Sequence, residues 1–423
     1  MQTTTETILS ELRKRGIRET INSLTDAQSM QMAEEWGAHN YHPLPINVVR
    51  GKGVSVWDQA GNEYMDCIGC YSAVSHGHLA EPILEAVRKQ LDVLTLTGRA
   101  VYTPEMAVFV RALCEYTGLE MACPMNTGAE AVETAIKLAR KWAHKNKGVP
   151  ENEAEIIVAE DNFHGRTITI VSFSTEEQYR DGFGPFTPGF RIVPFGDIEA
   201  VKSAITPKTA AVLMEPIQAE GGIIIPPDGY MASLRDLCTQ SNVLLIWDEI
   251  QTGFGRTGKR FCWQYEDAKP DLITLGKALG GGVYPVSAAV GTKEVMDVFQ
   301  PGDHGSTFGG NPLAAVVGLA AILDMEEKQL TGRSAELGER LIAGLRDLKH
   351  GCIEDVRGRG LLVGIEVREG SDTAALADAF VRERLITKET RSRTFRFTPP
   401  LTIEPEEVDE IVARTDRALA SLA

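Results

Sequence analysis

Val243-Leu-Leu-Ile-Trp-Asp248 is an apolar run that closes on a carboxylate, and a second run, Leu272-Ile-Thr-Leu275, stands just before Lys277. Uninterrupted apolar runs of this length are typical of strands buried on both faces of a parallel sheet. Open α/β sheets bind ligands outside the carboxyl ends of their strands, and we therefore expect Asp248 and Lys277 to meet at that edge. The alternative is that both are ordinary strand-end residues on solvated loops.

An amine and a carboxylate at one sheet edge have a specific chemical use. A lysine can form a Schiff base with a carbonyl group, and an aspartate can keep the pyridinium nitrogen of pyridoxal phosphate protonated, so that the ring accepts electrons. Lys277 and Asp248 therefore suggest a pyridoxal phosphate site as a first hypothesis.

Further short apolar runs alternate with helical patterns between about residues 76 and 310. They lie at 156–158, 168–171, 211–214 and 286–290. This alternation predicts an α/β fold, in which helices cover both faces of a mostly parallel sheet. Toward the C-terminus, residues 360–367 and 394–397 have the pattern of strands and predict a separate, smaller α+β domain.

The N-terminal region has a different pattern. Thr3 and Glu6, placed before an apolar stripe, predict a capped amphipathic helix that is broken or bent near Gly16. Residues 53–66 predict a hairpin that turns at Gly61-Asn62. We therefore divide the chain into an N-terminal helical extension (1–35), the N-terminal part of a small domain (36–75), a large domain (76–312) and a C-terminal small domain that starts with a long linking helix (313–423).

Composition excludes several classes of function. The chain has 423 residues and a formal net charge of −16, so it provides no basic surface for nucleic acid or an anionic membrane. No apolar run approaches the ~20 residues of a membrane span, and the N-terminus lacks a secretory pattern. The single Cys67-x-x-Cys70 pair, without a second pair or a histidine cluster, argues against a metal site. We expect a soluble, cytoplasmic protein that binds no metal.

One glycine-rich segment resembles a nucleotide-binding loop. Gly253-Phe-Gly-Arg-Thr-Gly258 matches the dinucleotide pattern, and with Lys259 it nearly matches a P-loop. A P-loop requires serine or threonine after its lysine, where Arg260 stands, and the dinucleotide pattern requires a helix that residues 261–265 do not open. We expect no nucleotide here, and a non-catalytic nucleotide-binding protein is the alternative from another functional class.

Two other segments have the pattern of ligand-binding loops. Asn126-Thr-Gly-Ala129 leads into an amphipathic helix, whose free N–H groups would favour a phosphate, although simple N-capping produces the same pattern. Phe163-His-Gly-Arg166 follows a predicted strand. There the ring of Phe163 could cover a flat cofactor, and Arg166 could bind a carboxylate through two parallel hydrogen bonds.

Taken together, these motifs resemble those of the class III pyridoxal-phosphate aminotransferases, from about Trp36 to the C-terminus. The resemblance lies in the order and spacing of Asn126-Thr-Gly128, Phe163-His-Gly-Arg166, Asp248-Glu-Ile-Gln-Thr-Gly253, Leu275-Gly-Lys-Ala-Leu279 and Gly305-Ser-Thr-Phe-Gly-Gly-Asn-Pro312. It implies fold type I, with a mostly parallel seven-stranded sheet in the large domain. It also implies pyridoxal 5′-phosphate as the cofactor and a homodimer with active sites shared between subunits.

The resemblance assigns roles by motif position. Lys277 would bind the cofactor covalently, Asp248 would pair with its pyridinium nitrogen, and Gln251 would contact its 3-hydroxyl group. Ile250 and Phe163 would cover the two faces of the ring. The remaining expected contacts are Thr127, Gly128, Ala129 and His164, joined by Ser306 and Thr307 from the other subunit.

Further segments, among them Asp181-Gly-Phe-Gly-Pro-Phe186 and Arg396-Phe-Thr-Pro-Pro400, are similar to the ornithine δ-aminotransferase branch of this class. That similarity implies ping-pong transfer of the δ-amino group of ornithine to 2-oxoglutarate, with glutamate 5-semialdehyde and glutamate as products. N-acetylornithine, lysine and 4-aminobutyrate are the alternative amino donors.

Substrate recognition in this branch implies two arginines and an acidic switch. Here they would be Arg166, Arg396 and Glu220, with Glu220 neutralising Arg396 while ornithine binds; Tyr41 and Tyr71 would contact ornithine. The alternative is that Glu220 and Arg396 form an ordinary surface ion pair, which contributes little. The chain departs from the expected pattern at Ala219, where a glycine is expected, and at Ala129 and His164, where larger residues are typical of the animal-type enzymes.

Overall fold

The computed structural model describes residues 7–391 and 393–421, so the predicted cap at Thr3 and Glu6 lies outside the described residues. The chain separates into two compact units. One contains residues 1–51 and 55–64, and the other contains residues 52–54 and 65–423. The four domain boundaries expected from the sequence remain predictions.

The first unit consists of three helices followed by strands that are neighbours in chain order. These are α1 (Ile8–Arg15), α2 (Ile17–Asn22), α3 (Asp26–Trp36), β1 (Val48–Lys52), β2 (Ser55–Asp58) and β3 (Glu63–Asp66), the last of which continues into the second unit. Gly16 has φ +86° and separates α1 from α2, which confirms the predicted break. The predicted hairpin is also confirmed: the N–H of Asn62 donates to Asp58 Oδ1 at 2.8 Å across the turn between β2 and β3.

The second unit is built on a seven-stranded sheet. Its strands are β4 (Met121–Met125), β5 (Glu155–Ala159), β6 (Phe190–Val193), β7 (Thr209–Met214), β8 (Leu244–Asp248), β9 (Leu272–Leu275) and β10 (Ser287–Gly291). Their spatial order is β4-β10-β9-β8-β7-β5-β6, and only β10 runs antiparallel to its neighbours. The predicted mostly parallel sheet is therefore confirmed.

Helices cover both faces of this sheet. The helices of this part of the chain are α4 (Gly69–Ser72), α5 (Glu81–Leu91), α6 (Pro104–Thr117), α7 (Gly128–Trp142), α8 (Ile168–Val171), α9 (Ile198–Ala204), α10 (Tyr230–Gln240), α11 (Lys293–Met296) and α12 (Pro312–Glu327). Successive side chains of a strand point to opposite faces. Leu245 and Trp247 accordingly belong to one hydrophobic core, whereas Leu244 and Ile246 belong to the other.

One strand prediction is wrong. Residues 168–171, Ile-Thr-Ile-Val, form the short helix α8 and not a strand. The hydroxyl of Thr167 accepts a hydrogen bond from the N–H of Ile170 and caps the helix. The local cap and the surrounding packing therefore override the β-propensity of these branched residues.

The C-terminal region adds a smaller α+β layer. Its elements are α13 (Leu330–Asp347), β11 (Ile353–Arg359), β12 (Leu362–Val367), α14 (Thr373–Arg382), β13 (Leu385–Ile386), β14 (Lys388–Thr390), β15 (Thr394–Phe397) and α15 (Pro405–Ala420). Four of the strands form an antiparallel sheet in the order β11-β12-β15-β14. β13 instead pairs in parallel with the end of β3, where Leu385 lies opposite Met65. The strands predicted at 360–367 and 394–397 correspond to β12 and β15.

In the glycine-rich segment 253–259, residues 253–258 form a buried turn and Lys259 is exposed. The guanidinium of Arg256 donates to the carbonyls of Leu361 and Pro399 at 2.9 and 2.6 Å and to Ser75 Oγ at 3.0 Å. A short 3-10 turn over Cys262–Tyr265 follows it. This arginine ties the turn to the C-terminal region. Within the described ranges, no helix has the length and apolar character needed to cross a membrane.

Candidate active site

The carboxyl edge of the sheet encloses a cavity of about 200 Å³ lined by thirteen residues. Asp248 is the last residue of β8, and Lys277 follows β9 by two positions. Nine of the lining residues are among those expected from the sequence: Gly128, Ala129, Phe163, His164, Glu220, Asp248, Ile250, Gln251 and Lys277. The predicted meeting of the acid and the amine at this edge is therefore confirmed, while the role of each residue remains to be tested.

Lys277 is held in an unusual backbone conformation. Its φ is +45°, in the left-handed region that side-chain-bearing residues seldom adopt and that is concentrated at functional sites. The Nζ donates a hydrogen bond to Gln251 Oε1. Burial lowers the pKa of Lys277 to about 8, against the opposing effect of the Glu220 carboxylate. A substantial fraction of this amine is therefore neutral near physiological pH.

The lowered pKa of Lys277 makes a testable prediction about cofactor uptake. Only a neutral amine attacks an aldehyde, so the rate at which the apoprotein binds pyridoxal phosphate covalently should rise with pH, with a midpoint near the lysine pKa of about 8. Rapid-mixing absorbance measurements across the range from about pH 6 to 11 would determine this midpoint. A midpoint near 10.5, the ordinary value for lysine, would contradict the prediction.

Asp248 is bound on both of its oxygens. Oδ2 accepts a hydrogen bond from His164 Nδ1 at 2.6 Å, and Oδ1 accepts from the N–H of Ile250 at 3.1 Å. Burial alone would lower the pKa of His164, but the hydrogen bond and the negative charge of Asp248 outweigh it, and the net shift is upward. His164 thus orients the carboxyl group of Asp248, which is only 5% exposed.

Glu215 is a cavity residue that sequence reasoning missed. Its Oε2 accepts a hydrogen bond from the N–H of Phe163 at 3.0 Å, and burial raises its pKa to about 8. The acid is therefore largely uncharged near neutral pH and adds little negative charge beside Asp248. Glu215 directly follows β7 as Asp248 ends β8, so the strand-end rule applied to residues 211–214 could have found it.

The start of α7 leaves two backbone N–H groups open. Thr127 and Glu130 form a capping box: the N–H of Glu130 donates to Thr127 Oγ1 at 3.3 Å, and the N–H of Thr127 donates to Glu130 Oε2 at 2.8 Å. In the described part of the chain, the N–H groups of Gly128 and Ala129 have no protein partner. A Cβ at position 128 would lie 3.0 Å from Ile250, so glycine keeps this helix end open. Such an end suits a phosphate group.

Glu220 and Arg396 form an ion pair at the cavity. Arg396 lies on β15, is only 3% exposed, and has its guanidinium carbon 4.9 Å from the centre of the Tyr71 ring. Burial would raise the pKa of Glu220, but the charges of Arg396 and Lys277 outweigh it, and the net shift is downward. Glu220 lines the cavity and Arg396 does not, but the pair is partly buried, unlike the exposed surface pair considered as the alternative.

Arg166 is the second predicted arginine, and it is exposed. Its guanidinium carbon lies 3.5 Å from the centre of the Tyr179 ring and 5.5 Å from that of Phe163. Among the described residues it makes neither an ion pair nor a hydrogen bond. Its donors are therefore available to a carboxylate.

Other expected residues do not line the cavity. Ser306 Oγ accepts a hydrogen bond from Asn126 Nδ2 at 3.0 Å, and Thr307 is exposed. The family resemblance implies instead that Ser306 and Thr307 reach the cofactor site of the partner subunit. Tyr41 belongs to the first compact unit and is 73% exposed.

A family model described as aminotransferase class-III matches residues 36–419. The chain belongs to the class III aminotransferase family. The family match begins at the position where the sequence resemblance began, at Trp36, and the strand arrangement is that of the pyridoxal-phosphate-dependent aminotransferases.

Individual relatives agree with the family. Ornithine aminotransferases from Brevibacillus brevis and Bacillus subtilis are 50% and 47% identical to this chain over 392 and 390 residues, and each match covers 92% of this chain and 97% of the relative. The solved ornithine aminotransferase from Toxoplasma gondii is 40% identical, with a TM-score of 0.93 over 94% of this chain and 95% of that chain. Acetylornithine aminotransferase from Elizabethkingia anophelis is also 40% identical, with a TM-score of 0.86 over 94% of this chain and 100% of its own.

The cavity residues fit the family's cofactor, pyridoxal phosphate. The open end of α7, with its unpartnered N–H groups at Gly128 and Ala129, suits the phosphate. The buried Asp248 carboxylate suits a cationic ring nitrogen, and the partly neutral Lys277 amine suits an aldehyde. Each of these protein groups is therefore chemically matched to a different part of the cofactor: the phosphate, the ring nitrogen or the aldehyde.

Proposed function

We propose that this class III aminotransferase transfers the δ-amino group of L-ornithine to 2-oxoglutarate, giving L-glutamate and glutamate 5-semialdehyde, which cyclises to pyrroline-5-carboxylate. The observation that carries the proposal is the unequal state of the two arginines that are expected to bind substrate carboxylates. Arg166 has no carboxylate partner among the described residues, whereas Arg396 is already paired with Glu220. The relatives named ornithine aminotransferase support the same substrate.

The unequal arginines suit a substrate that carries one carboxylate in the first half-reaction. Ornithine's α-carboxylate would bind Arg166 through two parallel hydrogen bonds, the strongest geometry available to this pair. Glu220 would keep Arg396 neutralised, so that the δ-amino end of ornithine is not repelled by an unpaired positive charge. Tyr71, which lies against Arg396, would contact ornithine.

The second half-reaction requires a different charge pattern. 2-Oxoglutarate carries two carboxylates, and one would bind Arg166 while the other displaces Glu220 and binds Arg396. In the ion pair, Glu220 neutralises the buried Arg396. When the Glu220 side chain rotates away, the positive charge of Arg396 becomes available to a substrate carboxylate, and the backbone does not have to move. One site can thus accept both substrates in turn, which predicts ping-pong kinetics.

The catalytic work divides among three side chains. When bound, pyridoxal phosphate supplies an electron-accepting ring that stabilises negative charge on the substrate carbon. Lys277 Nζ can accept the proton from the substrate carbon that bears the amine and release it again, because its pKa of about 8 lies near physiological pH. Asp248 holds a negative charge in the floor of the cavity, and His164 supports that charge by its hydrogen bond.

The proposed functional unit is a homodimer. Ser306 and Thr307 carry hydroxyls suited to a phosphate but do not line the cavity of their own chain. Large apolar side chains are also exposed between residues 91 and 102, at Leu91, Val93, Leu94, Leu96, Val101 and Tyr102. A contiguous exposed apolar segment of this kind is typical of a protein interface. The molecular mass in solution tests the dimer.

A comparison of amino donors tests the substrate. Ornithine, N-acetylornithine, lysine and 4-aminobutyrate are each supplied with 2-oxoglutarate, and kcat/KM for glutamate formation is compared. We expect ornithine to give the highest value, since Tyr71 favours a free α-amino group. N-acetylornithine is the second candidate because of the acetylornithine aminotransferase relative. A higher kcat/KM for N-acetylornithine would overturn the substrate assignment while leaving the aminotransferase chemistry intact.

Replacing Glu220 by alanine should separate the two half-reactions. The change leaves Arg396 buried without its partner, and removing one member of a buried ion pair typically lowers the stability of the fold by about 3–5 kcal/mol. We expect the ornithine half-reaction to slow by about 10- to 100-fold, because the unpaired cation repels the amine end. Substrates that use Arg396, such as glutamate, should react as fast or faster. Single-turnover absorbance changes measure each half-reaction separately.

Glu366 provides the matched control for this variant. It is also a partly buried glutamate of the C-terminal region, and it pairs with Arg357 and Arg393 away from the cavity. Glu366→Ala should leave the ratio of the two half-reaction rates unchanged. An unchanged ratio in Glu220→Ala as well would remove Glu220 from the mechanism.

A further inference from the structure

The exposed Arg166 has a defined support outside the cavity lining. Tyr179 lies on the 3-10 turn Glu177–Tyr179, and the guanidinium carbon of Arg166 is 3.5 Å from the centre of its ring. The Tyr179 ring is in turn packed edge-on to Phe163, with ring centres 6.2 Å apart and an angle of 79° between the planes. The guanidinium of Arg166 therefore packs on the face of the Tyr179 ring, and the contact with Phe163 fixes the orientation of that ring.

This contact restricts Arg166 without using its hydrogen-bond donors. An arginine side chain has up to about 2 kcal/mol of rotamer entropy to lose on being ordered, so an unsupported exposed arginine would be spread over many conformations. Stacking on an aromatic face engages the flat face of the guanidinium, whereas a carboxylate binds its N–H edges. A salt bridge would have ordered the side chain equally well but would have occupied those edges.

We infer that Tyr179 is a positioning residue for substrate binding: its ring holds the guanidinium of Arg166 ready to receive the substrate carboxylate. The inference rests on the proposed function, in which Arg166 binds that carboxylate. It extends the site to a residue that does not line the cavity and that no sequence motif had indicated.

The turn that carries Tyr179 is itself anchored on both sides. Before it, Glu176 Oε2 accepts a hydrogen bond from Arg391 at 2.5 Å. After it, Arg180 donates to the carbonyls of Ser172 and Ser174 at 2.7 and 3.0 Å. Because neighbours on each side are tied to other segments, the Tyr179 ring has a defined position before substrate arrives.

The two arginines of the site are thus held by different means. Arg396 is buried and paired with a carboxylate, so it must be released before it can bind a substrate. Arg166 is exposed and supported by a ring, so it is available throughout the reaction. Loss of Tyr179 should consequently weaken the carboxylate binding of both half-reactions, since ornithine and 2-oxoglutarate each use Arg166.

A set of variants tests this inference. Tyr179→Leu removes the aromatic face, Tyr179→Phe keeps it, and Arg166→Ala removes the cation. A cation–π contact at an exposed site corresponds to about a 2- to 5-fold change in binding. We expect Tyr179→Leu to raise KM for ornithine and for 2-oxoglutarate by about that factor, with kcat changed less than about twofold. Tyr179→Phe should restore both KM values.

A merely structural effect would appear in a different measurement. The dissociation constant for pyridoxal phosphate, measured by its absorbance, should be the same in Tyr179→Leu as in the parent protein if only Arg166 is affected. A parallel weakening of cofactor binding, or a failure of Tyr179→Phe to restore KM, would overturn the positioning role.

The Arg166→Ala variant separates this inference from the function on which it rests. If Arg166→Ala raises KM for ornithine but Tyr179→Leu does not, the positioning role is wrong and the proposed carboxylate site stands. If Arg166→Ala itself leaves KM unchanged, the carboxylate site is wrong, and the role of Tyr179 falls with it.

Discussion

Replacing Lys277 by alanine is expected to lower kcat for amino transfer by about 10⁴-fold or more. General acid–base catalysis by a positioned side chain contributes about 10²- to 10⁴-fold, and Lys277 is also the amine expected to bind the cofactor covalently. No other lysine lines the cavity among the described residues, so no neighbouring amine can take over. Steady-state assays with ornithine and 2-oxoglutarate measure the activity. The visible absorbance of the bound cofactor measures covalent attachment. The activity and this absorbance should disappear together.

Lys269 offers a matched control for this variant. It is an exposed lysine that precedes β9, at the opposite edge of the same sheet from Lys277. Lys269→Ala should retain full activity and the absorbance of the bound cofactor. A Lys277→Ala protein that still showed the covalent absorbance, or kept more than about one hundredth of its activity, would contradict the central assignment. Tight ATP or NAD binding without that absorbance would instead favour the nucleotide-binding alternative.

Replacing Asp248 by asparagine should lower kcat by about 10³-fold while the protein still folds. Asparagine has nearly the same shape as aspartate but no negative charge. The cavity would then lose the anion that stabilises a cationic ring nitrogen, and preorganised electrostatic groups of this kind contribute about 10²- to 10³-fold each. His164 would lose its charged partner at the same time, because its Nδ1 lies 2.6 Å from Asp248 Oδ2. Single-turnover rates of the ornithine half-reaction measure the effect.

Two observations would distinguish loss of the Asp248 charge from disruption of the fold. Covalent uptake of pyridoxal phosphate should persist in Asp248→Asn, since the Lys277 amine is intact. Asp271 lies at the other edge of the sheet, where its Oδ2 accepts from the N–H of Leu245 at 2.7 Å. Asp271→Asn should therefore leave kcat unchanged. Equal loss of activity in both variants would indicate that Asp248 acts through the fold and not through its charge.

Several features of the fold were predictable because local sequence patterns determine them. β8 and β9 are short, mostly apolar runs, which are typical of strands that are buried on both faces. The edge strands were harder to recognise. β4 contains Pro124, which is unusual in a strand, and β6 contains the exposed Arg191, so neither has the pattern of a buried strand. Both became strands because a sheet edge offered them hydrogen-bond partners.

Within the site, the chemistry was more predictable than its environment. Lys277 and Asp248 could be found because each follows a strand pattern, and the order of the motifs indicated most of the cavity lining. The charge states could not be predicted in this way. The pKa of Glu215 is raised mainly by burial under segments that are distant along the chain, and the spacing of residues contains no measure of that burial.

By itself, the amino-acid sequence determined the parallel sheet, the family and the positions of the reactive amine and carboxylate, because apolar periodicity and motif spacing are local properties of a chain. Only the tertiary structure decided that the pair of Glu220 and Arg396 is partly buried, that Glu215 belongs to the cavity, and that Tyr179 supports Arg166. Glu220 and Arg396 are far apart along the chain, and Tyr179 lies on a turn with no motif of its own. Such contacts and the burial that accompanies them exist only once the segments have packed together.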